Sequence, residues 1–284
     1  MTARELLEDA ARLARNIGAE ATPWDARILL AHVLKHSNPL AIDPNADLAA
    51  AEAARFGELW AQRLDGSPVQ HLLGEWDFYG RTFRVDERAL IPRPETEIVV
   101  SLALRESPEA RRILDAGTGC GIMAITWLLE KPQSRAVALD ASIEALALTR
   151  ENARRHGVLP RIDILASDWL SGTKPLPFDL VVANPPYLSS SGAVDLSATV
   201  REHDPERALF AGEDGLEAIR HLLDEIPRHL AAGAPFVFEF GYGQGELVKQ
   251  EIRRRPVWAL VAVEDDLAGI PRVAIARKRS AASA

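Results

Sequence analysis

From residue 112 onward, short continuous apolar runs alternate with amphipathic stretches, and few folds accommodate that pattern. The runs are "RRILDA", "AVALD", "RIDILASD", "FDLVVAN" and "APFVFEF", with a closing pair near 257–263 and 271–277. Between them, "IMAITWLLEK", "SIEALALTRENARRHG" and "LEAIRHLLDEIPRHL" read as helices. Strands that are apolar on both faces must be covered on both faces. The alternation therefore predicts an α/β fold with a mostly parallel seven-stranded sheet between helical layers.

The first part of the chain obeys a different grammar. Leu6, Ala10, Leu13 and Ile17 fall on one face of a helix that Gly18 would end. Thr22 and Pro23 announce a second helix, with Trp24, Ile28, Leu29 and Val33 as its apolar stripe. An alanine-rich segment from about Asp47 to Leu64 completes a small helical bundle expected over residues 1–70. "WDFYGRTFRV" alternates around Gly80 as a β-hairpin does, and "ALIPRPETEIVV" is a proline-punctuated entry to a helix. Residues 71–95 are thus expected to link the bundle to a larger domain spanning 96–284.

Composition narrows the function. A net charge of −8 argues against a surface built to lie on phosphates, which needs clustered Lys and Arg. One cysteine cannot form an internal disulfide, the opening "MTARELLEDAARLARNIG" has no apolar leader core, and no apolar run approaches membrane-spanning length. The expectation is a soluble, cytoplasmic protein with no membrane attachment and no direct nucleic-acid binding.

The strand ends carry the chemistry. "ILDAGTGCG" places glycines 117, 119 and 121 after one strand, and Asp140 ends the next. In doubly wound sheets a glycine turn admits a ligand to the backbone, and a second-strand acid accepts the two hydroxyls of a ribose. The G-x-G-x-G spacing differs from the dinucleotide fingerprint, which favours an adenosine-bearing cofactor with no phosphate at the loop; S-adenosylmethionine fits. A third strand ends in "ASDW", where Asp168 can accept from an adenine amino group and Trp169 can cover the ring.

The fourth strand delivers "NPPY" to the same edge. Asn184 precedes a proline and is held extended, while Pro185 and Pro186 have no N–H, so this corner presents acceptors. The Asn184 side-chain oxygen and the Pro185 carbonyl could hold both N–H groups of a primary amide or exocyclic amine in one plane, with Tyr187 packed on that plane. Such a hold stabilises charge growing on a nitrogen that is otherwise a poor nucleophile, and aims it at a sulfonium methyl.

Taken in order, "LDAGTGCG", "VALD", "SDW" and "NPPY" resemble a class I, Rossmann-like S-adenosylmethionine-dependent amino-methyltransferase. "LIPRPETE", "PVQHLLGEWDFYGRTFRV", "VREHDPERALFAGEDGLEAIRHLL", "FEFGYGQGE" and "DLAGIPRVA" extend the resemblance to the HemK/PrmC family of release-factor glutamine N5-methyltransferases, over essentially the whole chain. The resemblance implies methylation of the glutamine in the Gly-Gly-Gln loop of peptide chain release factors, with the helical domain helping to grip the substrate. It implies that Gly117, Thr118, Gly119, Cys120, Gly121, Asp140, Trp169 and Asn184 contact the cofactor, and that Asn184, Pro185, Pro186 and Tyr187 contact the glutamine. Arg93 and Glu95 would either organise the methionine end of the pocket or serve a purely structural role at the helix entry. Two departures are mild: Cys120 replaces a common Thr or Ser, and His203 a common Tyr.

Other readings stay open at this stage. They are the sister reaction on a ribosomal-protein glutamine, an adenine or guanine amino-methyltransferase acting on a flipped base, and a non-catalytic adenosine-binding module. His32 and His36 stand four apart on a helix but have no third ligand in view, so no metal is expected. Cys120 has no partner spacing for nucleophilic catalysis and reads as a small packing residue.

Overall fold

The computed structural model describes residues 1–171, 175–190 and 205–280, which places His203 outside the described residues. Two compact units separate between Trp76 and Asp77.

The first unit is helical: α1 (Ala3–Ile17), α2 (Pro23–Val33), α3 (Ala50–Leu64) and a short α4 (Val69–Leu73). Its helix ends follow local chemistry. Thr2 with Glu5, and Thr22 with Asp25, form reciprocal capping boxes, and Gly18 ends α1 in the left-handed conformation. The expected stripe of α1 is met in part: Ala10 is buried and Leu6 packs against the core, beside Ala3, Leu7 and Ala14. Leu13 and Ile17 are instead 46% and 57% exposed, and Trp24 of α2 is 48% exposed. Small alanines let α1 pack closely. The five residues of α4 were not anticipated, being too few to display a helical period. Leu29, Leu30, Phe56, Leu59 and Trp60 fill the core.

Asp25 has a second task. Its Oδ2 caps the Thr22 amide at 2.9 Å and accepts from Arg63 Nε at 3.0 Å, although Arg63 is only 8% exposed. Removing the carboxylate would strand a buried guanidinium. Asp25→Ala is expected to destabilise the helical unit by about 3 kcal/mol, read as faster amide hydrogen exchange in α2 and α3 than in the second unit.

A hairpin follows, β1 (Glu75–Phe78) and β2 (Arg81–Arg84), with the boundary between the units falling within β1. Its turn residues Tyr79 and Gly80 both have positive φ, 52° and 69°, which matches the twist of the flanking strands. Phe78 and Phe83 anchor it in the core. The chain continues through α5 (Thr96–Glu106), β3 (Arg112–Ala116), α6 (Ile122–Glu130), β4 (Arg135–Asp140), α7 (Ile143–Arg155), β5 (Ile162–Ala166), β6 (Leu180–Ala183), α8 (Glu217–Glu225), β7 (Pro235–Glu239), α9 (Gly245–Arg253), β8 (Trp258–Asp265) and β9 (Pro271–Lys278).

The expected sheet is present, with strand order β5-β4-β3-β6-β7-β9-β8. β5, β4, β3, β6 and β7 run parallel to one another, and β9 runs antiparallel to both β7 and β8. Ile113, Leu180 and Val237 pack into the layer of α5, α6 and α7; Leu114, Val181, Phe236 and Phe238 pack into that of α8 and α9. No helix among the described residues is long and apolar enough to cross a membrane.

Candidate active site

The chain runs outward from β3 to β4 and β5, then returns to β6 on the other side of β3. Strand order reverses there, and a crevice opens beyond the carboxyl ends of the strands. Register decides what lines it. Ala116 pairs with Leu139 and with Ala183, and Asp140 pairs with Ala166. The glycine loop, Asp140, the "SDW" turn and Asn184 therefore leave the sheet in series along one edge.

The glycine loop is pinned from both sides. Gly117 and Thr118 donate to the Leu139 carbonyl at 2.9 and 2.8 Å, and Gly119 donates to Asp140 Oδ2 at 2.8 Å. Below it, Asp115 Oδ2 accepts from Thr118 Oγ1 at 2.7 Å and from the Ala124 amide at 3.1 Å. Complete burial pushes the Asp115 pKa up to about 7 despite those bonds. Burial likewise pushes the Cys120 thiol up to about 12, so it is a protonated packing residue. Gly121, with φ of 87°, starts α6 where a Cβ would stand 2.9 Å from Ile125 and Thr149.

The crevice is a cleft of about 540 Å³, a size usual for cofactor sites. Of the residues expected here, Gly117, Thr118, Gly119 and Cys120 line it, as do Asp140, Asp168, Trp169, Asn184 and Pro186. Arg93 lines it too, while Glu95, Gly121, Pro185 and Tyr187 do not. A nucleoside-bearing ligand fits these walls. The Asp140 oxygens each accept one backbone N–H, from Gly119 and Ser142, and keep lone pairs for hydroxyl donors. The Trp169 ring stands against Gly117, 3.5 Å from where a Cβ would be. His221 also lines the cleft, its ring 6.4 Å from that of Trp169, and its buried Nε2 has no partner among the described residues.

Asn184 is held by groups that sequence patterns did not single out. Its Nδ2 donates to Thr96 Oγ1 at 3.0 Å, and Thr96 Oγ1 donates to Glu239 Oε2 at 2.7 Å. Glu239 Oε1 accepts from the Tyr187 hydroxyl at 3.3 Å. Asn184 Oδ1 is buried and has no partner among the described residues. Thr96 and Glu239 are each 1% exposed, and burial pushes the Glu239 pKa up to about 7. The tyrosine hydroxyl is pushed up as well, by burial first and then by the Glu239 charge. Gln244 completes the frame: its Nε2 donates to the Tyr187 carbonyl at 2.9 Å, and its Oε1 accepts from the Gly241 amide at 2.8 Å. Gly215 of the "DGL" segment, with φ of 73°, lies so close to the Tyr187 carbonyl that a Cβ would collide with it. One signal for Glu239 existed in the sequence, an acid between Phe238 and Phe240 in an apolar run; Thr96 offered none beyond its place in "PRPETE".

Comparison with known proteins agrees with this geometry. Residues 95–203 match the family described as methyltransferase small domain, and residues 5–74 the PrmC N-terminal domain. The chain is 38% identical to a release factor glutamine methyltransferase of Cereibacter sphaeroides, covering 98% of this chain and 99% of that protein. A protein of the same name from Nitratidesulfovibrio vulgaris is 35% identical, with 98% of this chain and 95% of that one covered. Among solved structures, a methyltransferase from Pyrococcus furiosus shares the fold at a TM-score of 0.53 and 16% identity, covering 72% of this chain and 91% of that chain. With relatives this similar along nearly their whole lengths, and both family domains in place, the chain belongs to the release factor glutamine methyltransferase family.

Proposed function

We propose that this protein transfers a methyl group from S-adenosylmethionine to the side-chain amide N5 of the glutamine in the Gly-Gly-Gln loop of peptide chain release factors. The observation that carries the reading is the buried Oδ1 of Asn184, without a partner among the described residues, in a side chain that lines the same cleft as Asp140 and Trp169. A buried acceptor without a donor is costly, and a primary amide supplies the donor.

Bound S-adenosylmethionine supplies an electrophilic methyl carbon on a sulfonium. Asp140 accepts from the ribose hydroxyls, Asp168 from the adenine amino group, and Trp169 covers the adenine. Gly117, Thr118, Gly119, Cys120 and Gly121 form the loop that admits the cofactor, and Asn184 stands at the boundary between cofactor and glutamine. Asn184 Oδ1 and the Pro185 carbonyl accept the two amide protons, Pro186 contributes contact surface, and Tyr187 borders the planar group. The nitrogen lone pair forms the new N–C bond as the C–S bond breaks with its electrons going to sulfur, leaving S-adenosylhomocysteine. The methylated nitrogen then loses one proton to water. Accepting those protons favours the charge that grows on nitrogen, so no strong base is needed.

Residues 1–70 act in this reading as the substrate-recognition domain, supported by the match to the PrmC N-terminal domain. The reading places the protein in the cytoplasm, where its substrate works.

Incubation with labelled S-adenosylmethionine and a purified release factor, followed by peptide mapping, tests the proposal. Label on the loop glutamine is expected; label on another residue, or none, contradicts it. Asn184→Ala is expected to lower kcat by about 100-fold or more with the fold retained, and Asp140→Ala chiefly to raise the KM for cofactor. Exchanging the exposed Leu13, Ile17 and Trp24 for serine is expected to raise the KM for the release factor and leave that for the cofactor unchanged.

A further inference from the structure

An asparagine carboxamide is almost symmetric in shape. Turning it by 180° exchanges oxygen for NH2 at little steric cost, yet here the exchange would set donors against the donors of the incoming amide. Some neighbour must choose the sense. We propose that Glu239, acting through the Thr96 hydroxyl, fixes the Asn184 carboxamide with its oxygen toward the substrate, making Thr96 and Glu239 positioning residues for the reacting nitrogen. This rests on the reading that Asn184 Oδ1 receives a substrate N–H.

A hydroxyl has one proton. Thr96 commits it to Glu239 Oε2 at 2.7 Å, so only lone pairs face Asn184, 3.0 Å away, and only Nδ2 can satisfy them. Thr96, which lines the cleft, therefore relays acceptor character from a carboxylate that does not. The sheet puts Glu239 within reach: Ala183 pairs with Phe238, so the residues that follow, Asn184 and Glu239, leave adjacent strands side by side. The second carboxylate oxygen accepts from the Tyr187 hydroxyl, so one acid orients both polar side chains of "NPPY".

The acid is a costly choice for a bracket. Glu239 is 1% exposed, and its hydrogen bonds from Thr96 and Tyr187, with the Arg272 charge, do not offset burial and the like charge of Glu95. A purely structural bracket needs no charge, since a glutamine of the same shape spans the gap. Only an ionised carboxylate, with acceptors at both oxygens, forbids the reversed sense. Glutamine can turn its own NH2 toward Thr96, free the hydroxyl proton to point at Asn184, and allow the carboxamide to flip.

The test uses the full-length chain, S-adenosylmethionine and a release factor. Thr96→Val, which keeps shape and removes the hydroxyl, is expected to lower kcat by about 10- to 100-fold, the scale of one donor left facing a donor. The KM for cofactor should stay within about twofold, and Thr96→Ser should restore most of kcat. Wild-type kcat/KM should fall as pH drops through about 7, because the ionised Glu239 is present above that value and lost below it. The carboxylate is faced by Glu95 from the start of α5, Tyr187 beyond β6 and Arg272 from β9, and Tyr187 in turn by Arg93, so the limb needs assignment. Glu239→Gln should remove that acid limb and lower the plateau. If Thr96→Val melts well below the wild type, the Glu239→Gln profile carries the test.

Wild-type kcat in Thr96→Val, equal damage in Thr96→Ser and Thr96→Val, or an unchanged acid limb in Glu239→Gln would overturn the relay while leaving the methyl-transfer reading intact. A wild-type chain that labels no release factor overturns that reading first and the relay with it.

Discussion

Everything at the functional end of this protein depends on the register of β3 with its two parallel neighbours. Ala116 is level with both Leu139 and Ala183, so the turns that follow diverge from a common line. A one-residue slip would turn each strand over and exchange its two faces. The apolar residues of β3 and β6 are buried to within 3% on both faces, which makes such a slip prohibitively costly. The core thus serves as the gauge that sets the spacing between the glycine loop, Asp140 and Asn184.

Upon that gauge sits an economy of donors. The two prolines after Asn184 have no N–H to offer, and the one carboxamide is turned so that its NH2 is on Thr96 and its oxygen is left without a donor among the described residues. The turn is held from behind by Gln244, which reaches the Tyr187 carbonyl, and by Gly215, where no side chain fits. The geometry also accounts for a buried acid in an apolar strand: Glu239 terminates a chain of hydrogen bonds that begins at Asn184 and passes through Thr96.

Much of this was legible in the sequence because it is written locally. Strand-helix alternation gave the layer order, glycines and Asp140 marked the crevice, and two prolines after an asparagine marked the acceptor corner. The bundle was legible in its helix ends, since Thr22 and Gly18 act within a few residues, but only partly in the packing of α1, where Ala3 and Ala14 are buried while Leu13 and Ile17 are exposed. Thr96 and Glu239 were hidden for a different reason. Their partners lie 88 and 143 residues away in the chain, and only sheet register brings them together. Tyr187 was read as packing on the plane of the substrate amide; the sequence did not show that its ring stands beside Gly241 and that its hydroxyl is tied to Glu239.

The most direct measurement is a crystal structure of the protein with S-adenosylhomocysteine and a peptide carrying the Gly-Gly-Gln sequence. The account predicts the glutamine amide nitrogen within about 3 Å of Asn184 Oδ1, its lone pair toward the sulfur, and Asn184 Nδ2 still on Thr96. An asparagine turned away from the peptide, or a glutamine bound by its carbonyl instead, would contradict it.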